Sequence, residues 1–202
     1  MTYIYCSGIN LLWFKLINSG GAGSDTKRDQ KEEVEKDNDS QIYVACLASY
    51  NSGILHGKWI KPENDLEDLK KQINQVLKSS PIPNAEEYAI HDYNNFPNLG
   101  EYPNLKDIIK VVDAIAEHGA DEINAFLSNY SVEDLDSFSD MFVGEYSSFS
   151  EYAEQMAEDT ILIDCPENIK SYFDYEKFER DLSYDDTEID APNGNVFIFR
   201  NC

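Results

Sequence analysis

The sequence predicts an α+β fold arranged as three small domains, and three observations support this prediction. An apolar, β-prone segment, QIYVACLASY, begins at Gln41. A series of short segments with helical periodicity follows from Asn104. The chain then finishes in TEIDAPNGNVFIFRN, where Asn193-Gly194 is typical of the turn in a β-hairpin. We therefore expect a β-sheet with a helix, a small helical bundle, and an α/β domain that ends in a β-hairpin.

Residues 1–40 are predicted to be an atypical N-terminal extension that is largely disordered. They combine an apolar run, INLLWFKLI, with a flexible SGGAGS and the charged low-complexity run DTKRDQKEEVEKDNDS. The apolar run has nine residues and contains Lys15, so it is too short to span a membrane. The four cysteines are widely spaced and form no CxxC pair, which is typical of a reduced compartment. We expect a cytoplasmic location.

Residues 41–101 are predicted to form a β-β-α-β domain. The segment 41–50 alternates in a way that fits a strand covered on both faces, and Asn51-Ser52-Gly53 then turns the chain into a second strand, ILHGKWI. Residues 64–78 carry apolar side chains at helical spacing, with acids in the first turn and a lysine in the last. EEYAIHDYNNF supplies the third strand.

Residues 102–140 are predicted to form a small helical domain. Asn104 is placed to cap a helix that ends at Gly119, and a second helix runs from Ala120 to Asn129. A capping-box pattern at Ser131 then opens a third helix.

Residues 141–202 are predicted to form the C-terminal α/β domain. Ser148 or Ser150 opens a helix, IKSYF and DYEKFERDL look helical after Pro166, and the terminal hairpin completes the domain.

The charge of the chain is extreme and unevenly spread. Residues 1–40 hold five bases and seven acids, whereas residues 41–202 hold eleven bases and thirty-two acids, a net charge of −21 out of −23. Between Lys110 and Lys170 there are fifteen acids and neither a lysine nor an arginine. Charge of this size repels nucleic acid and anionic membranes. Any partner should therefore be basic.

The acids in this stretch are spaced in an ordered way. Asp113, Glu117 and Asp121 step by four, although Gly119 is expected to interrupt that row, and Glu151, Glu154 and Glu158 step by three and four. Like charges at these spacings cost about 0.2–0.5 kcal/mol per pair, so stability alone does not select the arrangement. The stretch is either a solvated, salt-adapted surface or a set of carboxylates that stand in for phosphates. On the second interpretation the partner-binding acids are Asp113, Glu117, Asp121, Glu122, Glu133, Asp134, Asp136, Asp140, Glu145, Glu151, Glu154, Glu158 and Asp159.

Motifs for chemistry are weak in this sequence. It contains no GxSxG, HExxH, P-loop or GxGxxG pattern, and its three histidines lack metal-ligand spacing. The adjacent His91 and Asp92 fit either acid–base catalysis or ordinary hydrogen bonding at a strand end. We therefore predict no enzyme activity, no cofactor and no metal.

Three separated segments resemble the ArdA antirestriction proteins of conjugative plasmids, transposons and phages. They are IYVACLASYNSGILHGKWI at 42–60, EEYAIHDYNNFP at 86–97, and YFDYEKFERDL with NGNVFIFRN within 172–201. Proteins of this family are acidic, elongated homodimers of three small domains that mimic DNA and occupy the DNA-binding groove of type I restriction-modification enzymes. The resemblance implies the same role here, protecting incoming mobile DNA, with a dimer formed through the C-terminal domain. Residues 1–40 depart from the family pattern.

Two other functions are compatible with the residues. The chain could be an acidic partner of another basic DNA-binding protein, or a hydrolase that uses His91 and Asp92.

Overall fold

The computed structural model describes residues 39–201, in which helices and two small antiparallel sheets alternate as an α+β fold. The prediction of a largely disordered N-terminal extension concerns residues 1–40, of which only Asp39 and Ser40 lie within this range. The first part of the fold contains five elements: β1 (Gln41–Cys46), α1 (Leu47–Asn51), β2 (Gly57–Ile60), α2 (Leu66–Lys78) and β3 (Tyr88–Asn94).

The first sheet has the strand order β2-β1-β3, with both pairs antiparallel. One face of β1 carries Ile42, Val44 and Cys46, which are fully buried in the core shared with α2. Helix α2 begins at Leu66, two residues after the predicted start, because the side chain of Asp65 caps it by accepting hydrogen bonds from the backbone N–H groups of the first turn. The three predicted strands and α2 are present, and α1 is an additional helix.

The prediction that residues 47–50 continue the first strand is wrong. They form α1, because the last bonds to neighbouring segments are made by the N–H groups of Cys46, to His56 O, and Leu47, to Glu87 O, after which the backbone hydrogen-bonds locally. Buried Ser49 fixes this turn, since its hydroxyl lies 2.9 Å from that of Ser80. An apolar run of ten residues therefore divides between a strand and a helical turn.

The middle of the chain is helical, as predicted. Helix α3 (Leu105–His118) begins with the Asn104 side chain accepting a hydrogen bond from the N–H of the second helical residue, and Gly119 separates it from α4 (Ala120–Asn129). Gly119 has φ of +103°, a conformation that glycine adopts without strain. The predicted capping box at Ser131 is present, but it opens a 3-10 helix (Val132–Ser137), which is followed by the short α5 (Phe138–Met141).

The last part of the fold contains a strand that was not predicted from the sequence. This strand, β4 (Phe142–Tyr146), pairs with the last strand of the chain in a sheet of order β4-β6-β5. Its short sequence, FVGEY, has a central glycine, which is unfavourable in strands, so only the pairing reveals it. The other elements are α6 (Phe149–Asp159), α7 (Glu167–Lys170), α8 (Tyr175–Leu182), β5 (Asp186–Asp190) and β6 (Val196–Arg200).

The predicted hairpin at the end of the chain is confirmed, with a longer connection than an Asn-Gly dipeptide alone suggests. Ala191 N–H donates to Asn195 O, and Gly194 N–H donates to Ala191 O. The turn therefore has Pro192 at its second position and Gly194, with φ of +89°, at its fourth. Strand β6 lies at the centre of the sheet, and four of its five residues are buried.

The hydrophobic interior has one large and one small cluster. The large cluster joins the first sheet and α2 to the middle helices and to β6, where the rings of Phe126 and Phe138 contact Phe199. The small cluster lies between α6 and the other face of the second sheet, around Tyr152 and Ile198. Domain boundaries near residues 101 and 140 stay a prediction. No helix within residues 39–201 is long and apolar enough to cross a membrane.

Candidate functional site

The acids predicted to bind a partner lie on the surface. Eleven of the thirteen are exposed, and the other two, Glu122 and Glu158, are half-buried. They are distributed over α3, α4, the 3-10 helix, α5, β4 and α6. Their surroundings differ, and this difference separates them into two groups.

The row at the start of the stretch bends at Gly119, as expected. Asp113 and Glu117 lie one turn apart on α3, whereas Asp121 lies in the first turn of α4. Glu117 approaches only the ring of the neighbouring His118, at 3.8 Å. The carboxylates of Asp113 and Asp121 take part in no hydrogen bond or ion pair within the described part of the chain.

The acidic stretch lies between Lys110 and Lys170, and each of these two lysines forms an ion pair with an acid inside the stretch. Lys110 on α3 forms an ion pair with Asp136, with 3.0 Å between Nζ and Oδ1. Lys170 on α7 forms an ion pair with Glu158 on α6. Each lysine therefore neutralises one predicted site acid and ties two elements together.

Asp134 is used for capping. Its carboxylate accepts hydrogen bonds from the N–H and hydroxyl of Ser131, at 2.9 and 2.7 Å, and these bonds lower its pKa. These hydrogen bonds stabilise the first turn of the 3-10 helix.

Glu145 and Glu151 are also held by hydrogen bonds. Glu145 accepts from the amide groups of Asn193 and Asn195, which attaches β4 to the terminal hairpin. Glu151 accepts from the N–H and hydroxyl of Ser147 at 2.8 and 2.6 Å, just before α6. In both cases the hydrogen bonds favour the charged form and lower the pKa of the carboxyl group.

Glu158 has the most partners among the predicted acids. Besides the Lys170 ammonium, it accepts a hydrogen bond from the Tyr175 hydroxyl at 2.6 Å. The bond from Lys170 is the main cause of the lowered pKa of Glu158, and the bond to Glu158 is the main cause of the pKa of Tyr175 rising to about 12. This carboxylate therefore joins α6, α7 and α8.

Eleven of the thirteen predicted acids thus form two sets that differ in their contacts. The anchored acids hold the fold through the contacts above: Asp134, Asp136, Glu145, Glu151 and Glu158. The open acids have carboxylates with no hydrogen bond or ion pair among residues 39–201: Asp113, Asp121, Glu122, Glu133, Asp140 and Glu154. Glu117 and Asp159 make only long contacts, to His118 at 3.8 Å and to Gln155 at 3.5 Å. The sequence pattern does not distinguish these sets, because the distinction depends on which donors the fold brings near.

The catalytic candidate is not assembled. The His91 ring packs edge-on against Tyr50 with ring centroids 5.0 Å apart, while Asp92 accepts a hydrogen bond from the N–H of Tyr93. No hydrogen bond joins His91 to Asp92 in the structure of residues 39–201. Within the same range, no group of three or more potential metal ligands is found.

The structure also shows a segment with exposed apolar side chains that the sequence analysis did not predict. Residues 160–174, here called the strap, connect α6 to α8 and include α7. Ile161, Ile163, Ile169 and Tyr172 in the strap are 56, 69, 50 and 84% exposed. The signal was visible in TILIDCPENI, an apolar segment with no helical or strand period.

Comparison with known proteins agrees with the resemblance of the three segments. A model of the antirestriction protein (ArdA) family matches residues 42–197, which is most of the 202-residue chain. A search of curated proteins finds no match. The matched range includes all eight α-helices of the described chain and every predicted site acid, and it ends two residues into β6. The chain therefore belongs to the ArdA family of antirestriction proteins, a family of inhibitors.

Proposed function

We propose that this protein inhibits restriction by mimicking DNA, and that it occupies the DNA-binding groove of a type I restriction-modification enzyme. The observation that carries the proposal is the open acids, which are displayed on α3, α4, the 3-10 helix, α5 and α6 and whose carboxylates form no ion pair or hydrogen bond within residues 39–201. Such a surface protects incoming mobile DNA by competition. It requires no catalysis and no cofactor.

The mechanism follows from how proteins bind duplex DNA. Lysines and arginines of such a protein hold phosphates and fix its register, whereas base edges supply the sequence information. Carboxylates placed like phosphates engage only these lysines and arginines, and they present no base edges. The inhibitor therefore acts regardless of the sequence that the enzyme recognises, and its binding weakens steeply with salt, as DNA binding does.

The amount of charge is sufficient. Duplex DNA carries about one charge per 1.7 Å of its axis. Two copies of residues 41–202 carry a charge of −42, which corresponds to about 70 Å of duplex on that scale. This is the total charge of a dimer, of which the binding face uses a part.

The anchored acids support the open acids by fixing the elements that carry them. The hydrogen bonds of Glu151 stabilise the first turn of α6, which carries Glu154. Those of Asp134 stabilise the first turn of the 3-10 helix, which carries Glu133. A rigid array loses less conformational entropy on binding than a flexible one. In this proposal the anchored acids position the surface and the open acids contact the partner.

The proposal includes a homodimer formed through the C-terminal domain. The strap supports this part, since it exposes four large apolar side chains on an otherwise acidic surface, and patches of this kind mark interaction sites. The strap holds three acids and one lysine, a net charge of −2. Its apolar side chains, and not a lower charge, are what would hold two acidic copies together.

The central experiment measures inhibition of a purified type I restriction endonuclease by the full chain at low salt. One variant neutralises four open acids: Asp113→Asn, Glu133→Gln, Asp140→Asn and Glu154→Gln. A matched control removes four exposed charges from the first part of the fold: Glu63→Gln, Glu86→Gln, Glu87→Gln and Glu101→Gln.

We expect the first variant to inhibit at least about tenfold less well. The slope of log affinity against log salt concentration should become shallower by up to about three to four, since each lost contact contributes about 0.9. The control should inhibit like the natural chain. Equal effects in both variants would mean that net charge, not this surface, matters. No inhibition by the natural chain at micromolar concentration would remove the proposal and favour another basic DNA-binding protein as the partner.

Light scattering tests the dimer separately. Ile163→Glu with Tyr172→Glu should convert a dimer to a monomer, whereas Leu55→Glu, at a residue that is 77% exposed in the first part of the fold, should not. A monomeric natural chain, or a dimer that survives the strap variant, would contradict this part of the proposal.

A further inference from the structure

The first sheet has one face that α2 covers and one that it does not cover, and on this second face Ala45 and Ala89 are buried whereas Trp59 is exposed. Side chains alternate between the two faces of a strand. Ile42 and Val44 of β1 and Ile60 of β2 point to the buried face, so Tyr43 and Trp59 point to the other. Trp59 is 36% exposed there, although buried surroundings are usual for tryptophan.

Three side chains form a row across this second face. Tyr43 of β1 lies opposite Trp59 of β2 on one side and opposite Asp92 of β3 on the other. We call Trp59, Tyr43 and Asp92 the sheet row. The rings of Tyr43 and Trp59 meet edge to face, with centroids 5.4 Å apart and planes at 62°. Directly opposed residues of neighbouring strands lie about 4.5–5.5 Å apart, so Trp59 and Asp92 each lie one strand from Tyr43 and two strands, about 10 Å, from each other.

Gly57 shapes the row. A Cβ at this position would lie 2.6 Å from the Tyr43 hydroxyl oxygen and 2.7 Å from the adjacent ring carbon, so only glycine lets the ring lie against β2. The ring therefore leans toward Trp59 and away from β3, where Asp92 stands. The carboxylate of Asp92 uses Oδ1 to accept from the N–H of Tyr93. Its Oδ2 accepts no hydrogen bond within residues 39–201.

The charge around the row favours a cation. Lys58 alternates with Trp59 along β2 and so points to the opposite face. Lys61, beyond the end of β2, forms an ion pair with Asp39 at 2.8 Å. A carboxylate oxygen on the same sheet face as two aromatic rings, with the nearby lysines turned away or paired, suits a guanidinium group, since it stacks on rings and pairs with carboxylates more readily than an ammonium does.

The first part of the fold also differs in charge from the rest. Residues 41–101 hold five bases and eight acids, a net charge of −3, whereas residues 102–202 hold six bases and twenty-four acids, a net charge of −18. Phosphate mimicry by charge alone therefore belongs to the second region. If the first region contacts the same partner, it needs a different kind of interaction.

We propose that the sheet row of Trp59, Tyr43 and Asp92 binds an arginine side chain of the basic partner, stacked on the aromatic rings and paired with the carboxylate. This inference rests on the proposed function for the identity of the partner. It adds a contact that selects arginine over lysine. It also adds affinity that salt weakens less than it weakens the contacts of the open acids, since stacking does not depend on counterion release.

The experiment compares binding of the full chain to an oligo-arginine and an oligo-lysine peptide of equal length, measured by calorimetry at two salt concentrations. The variants are Trp59→Leu, which keeps apolar bulk without an aromatic ring, and Asp92→Asn, which keeps the oxygen that accepts from Tyr93. Leu55→Ala is the matched control, on an exposed apolar side chain of the same region. Circular dichroism verifies that each variant is folded.

We expect the natural chain to prefer the arginine peptide, and each row variant to lose about three- to tenfold of affinity for arginine with little change for lysine. The control should keep the preference. An equal preference for both peptides in the natural chain, or an unchanged preference in both row variants, would overturn the inference.

The same variants in the restriction assay separate the two proposals. If the natural chain inhibits and both row variants inhibit equally well, the sheet row plays no part and DNA mimicry stands. If the natural chain does not inhibit but prefers the arginine peptide through the row, the proposed target is wrong and the arginine site stands.

Discussion

Glu151 and Glu154 show that two carboxylates on one helix can have opposite roles. Both are exposed on α6, three residues apart. Glu151 accepts two hydrogen bonds from Ser147, while Glu154 accepts none from the described residues. The first acid stabilises the fold because the native state favours its charged form, whereas the second only adds repulsion to an already negative surface.

We expect Glu151→Gln and Glu154→Gln to have opposite effects on stability and function. Glu151→Gln should lower the melting temperature by about 1–3 °C, because a capping interaction is weakened, and should affect inhibition mainly through that loss. Glu154→Gln should leave the melting temperature unchanged or slightly raised and should weaken inhibition directly. Thermal unfolding followed by circular dichroism, together with the restriction assay, measures both. A destabilised Glu154→Gln would contradict this division.

The pH dependence of the Glu151→Gln effect has a definite sign. Hydrogen bonds from Ser147 lower the pKa of Glu151 below its ordinary value of 4.5. The stabilisation is therefore fully present above about pH 4.5 and is lost as the pH falls through the lowered value. The difference in melting temperature between the natural chain and the variant should be constant from pH 7 to 5 and shrink below 4.5. A difference that grows in acid would show that another group is responsible.

At the scale of the element, the corner at Gly119 sets how two helices present their acids. It ends the helix of Asp113 and Glu117 and begins the helix of Asp121 and Glu122, at a φ of +103°. A Cβ there would lie 2.2 Å from a carboxylate oxygen of Glu122, which is the end of a flexible side chain. The backbone conformation is therefore the stronger constraint.

Gly119→Ala should destabilise the protein by about 1–3 kcal/mol, because a non-glycine residue is strained at this φ. It should also weaken inhibition more than the loss of stability explains, since α4 or the Glu122 side chain must move. Gly53→Ala is the matched control: Gly53 has φ of +75° and no atom within 4 Å of its would-be Cβ. It should be destabilised similarly and inhibit normally at a temperature where both variants are folded. Normal inhibition by folded Gly119→Ala would mean that this corner does not shape the binding surface.

At the scale of the whole molecule, charge acts on folding and on binding in opposite directions. The large negative net charge destabilises the compact state through self-repulsion. Under the proposed function, the same charge supplies the attraction to a basic groove. Salt screens both effects, so it should strengthen folding and weaken inhibition.

We expect the melting temperature to rise between about 0.1 M and 1 M sodium chloride, over which the Debye length falls from about 10 to 3 Å. We expect affinity for the target to fall between about 0.05 M and 0.2 M, by as much as about 10³-fold if six or more phosphate-like contacts form. Thermal unfolding and a direct binding measurement on the same samples establish the two trends. Affinity that is insensitive to salt would exclude phosphate mimicry as the main interaction.

Local rules predicted much of this fold because the signals are local. Asn104 and Gly119 define α3 through capping and left-handed backbone preference, and the helical spacing of α2 follows from one buried face. Strand β4 was not predictable in this way, because FVGEY becomes a strand only by pairing with β6 more than fifty residues later. The end of β1 at Cys46 likewise depends on where its two neighbours begin, at Gly57 of β2 and Tyr88 of β3, since a strand requires partners.

The sequence by itself determined that this protein is α+β, strongly acidic and a member of the antirestriction family, because composition, periodicity and motifs are properties of the chain. It also located the candidate acids, almost all of which lie on the surface. Only the tertiary structure decided which acids are anchored and which are open, because hydrogen-bond donors such as Ser131, Lys170 and Tyr175 reach the carboxylates through the fold. It likewise decided that Trp59, Tyr43 and Asp92 share one sheet face, because strand register sets which side chains become neighbours.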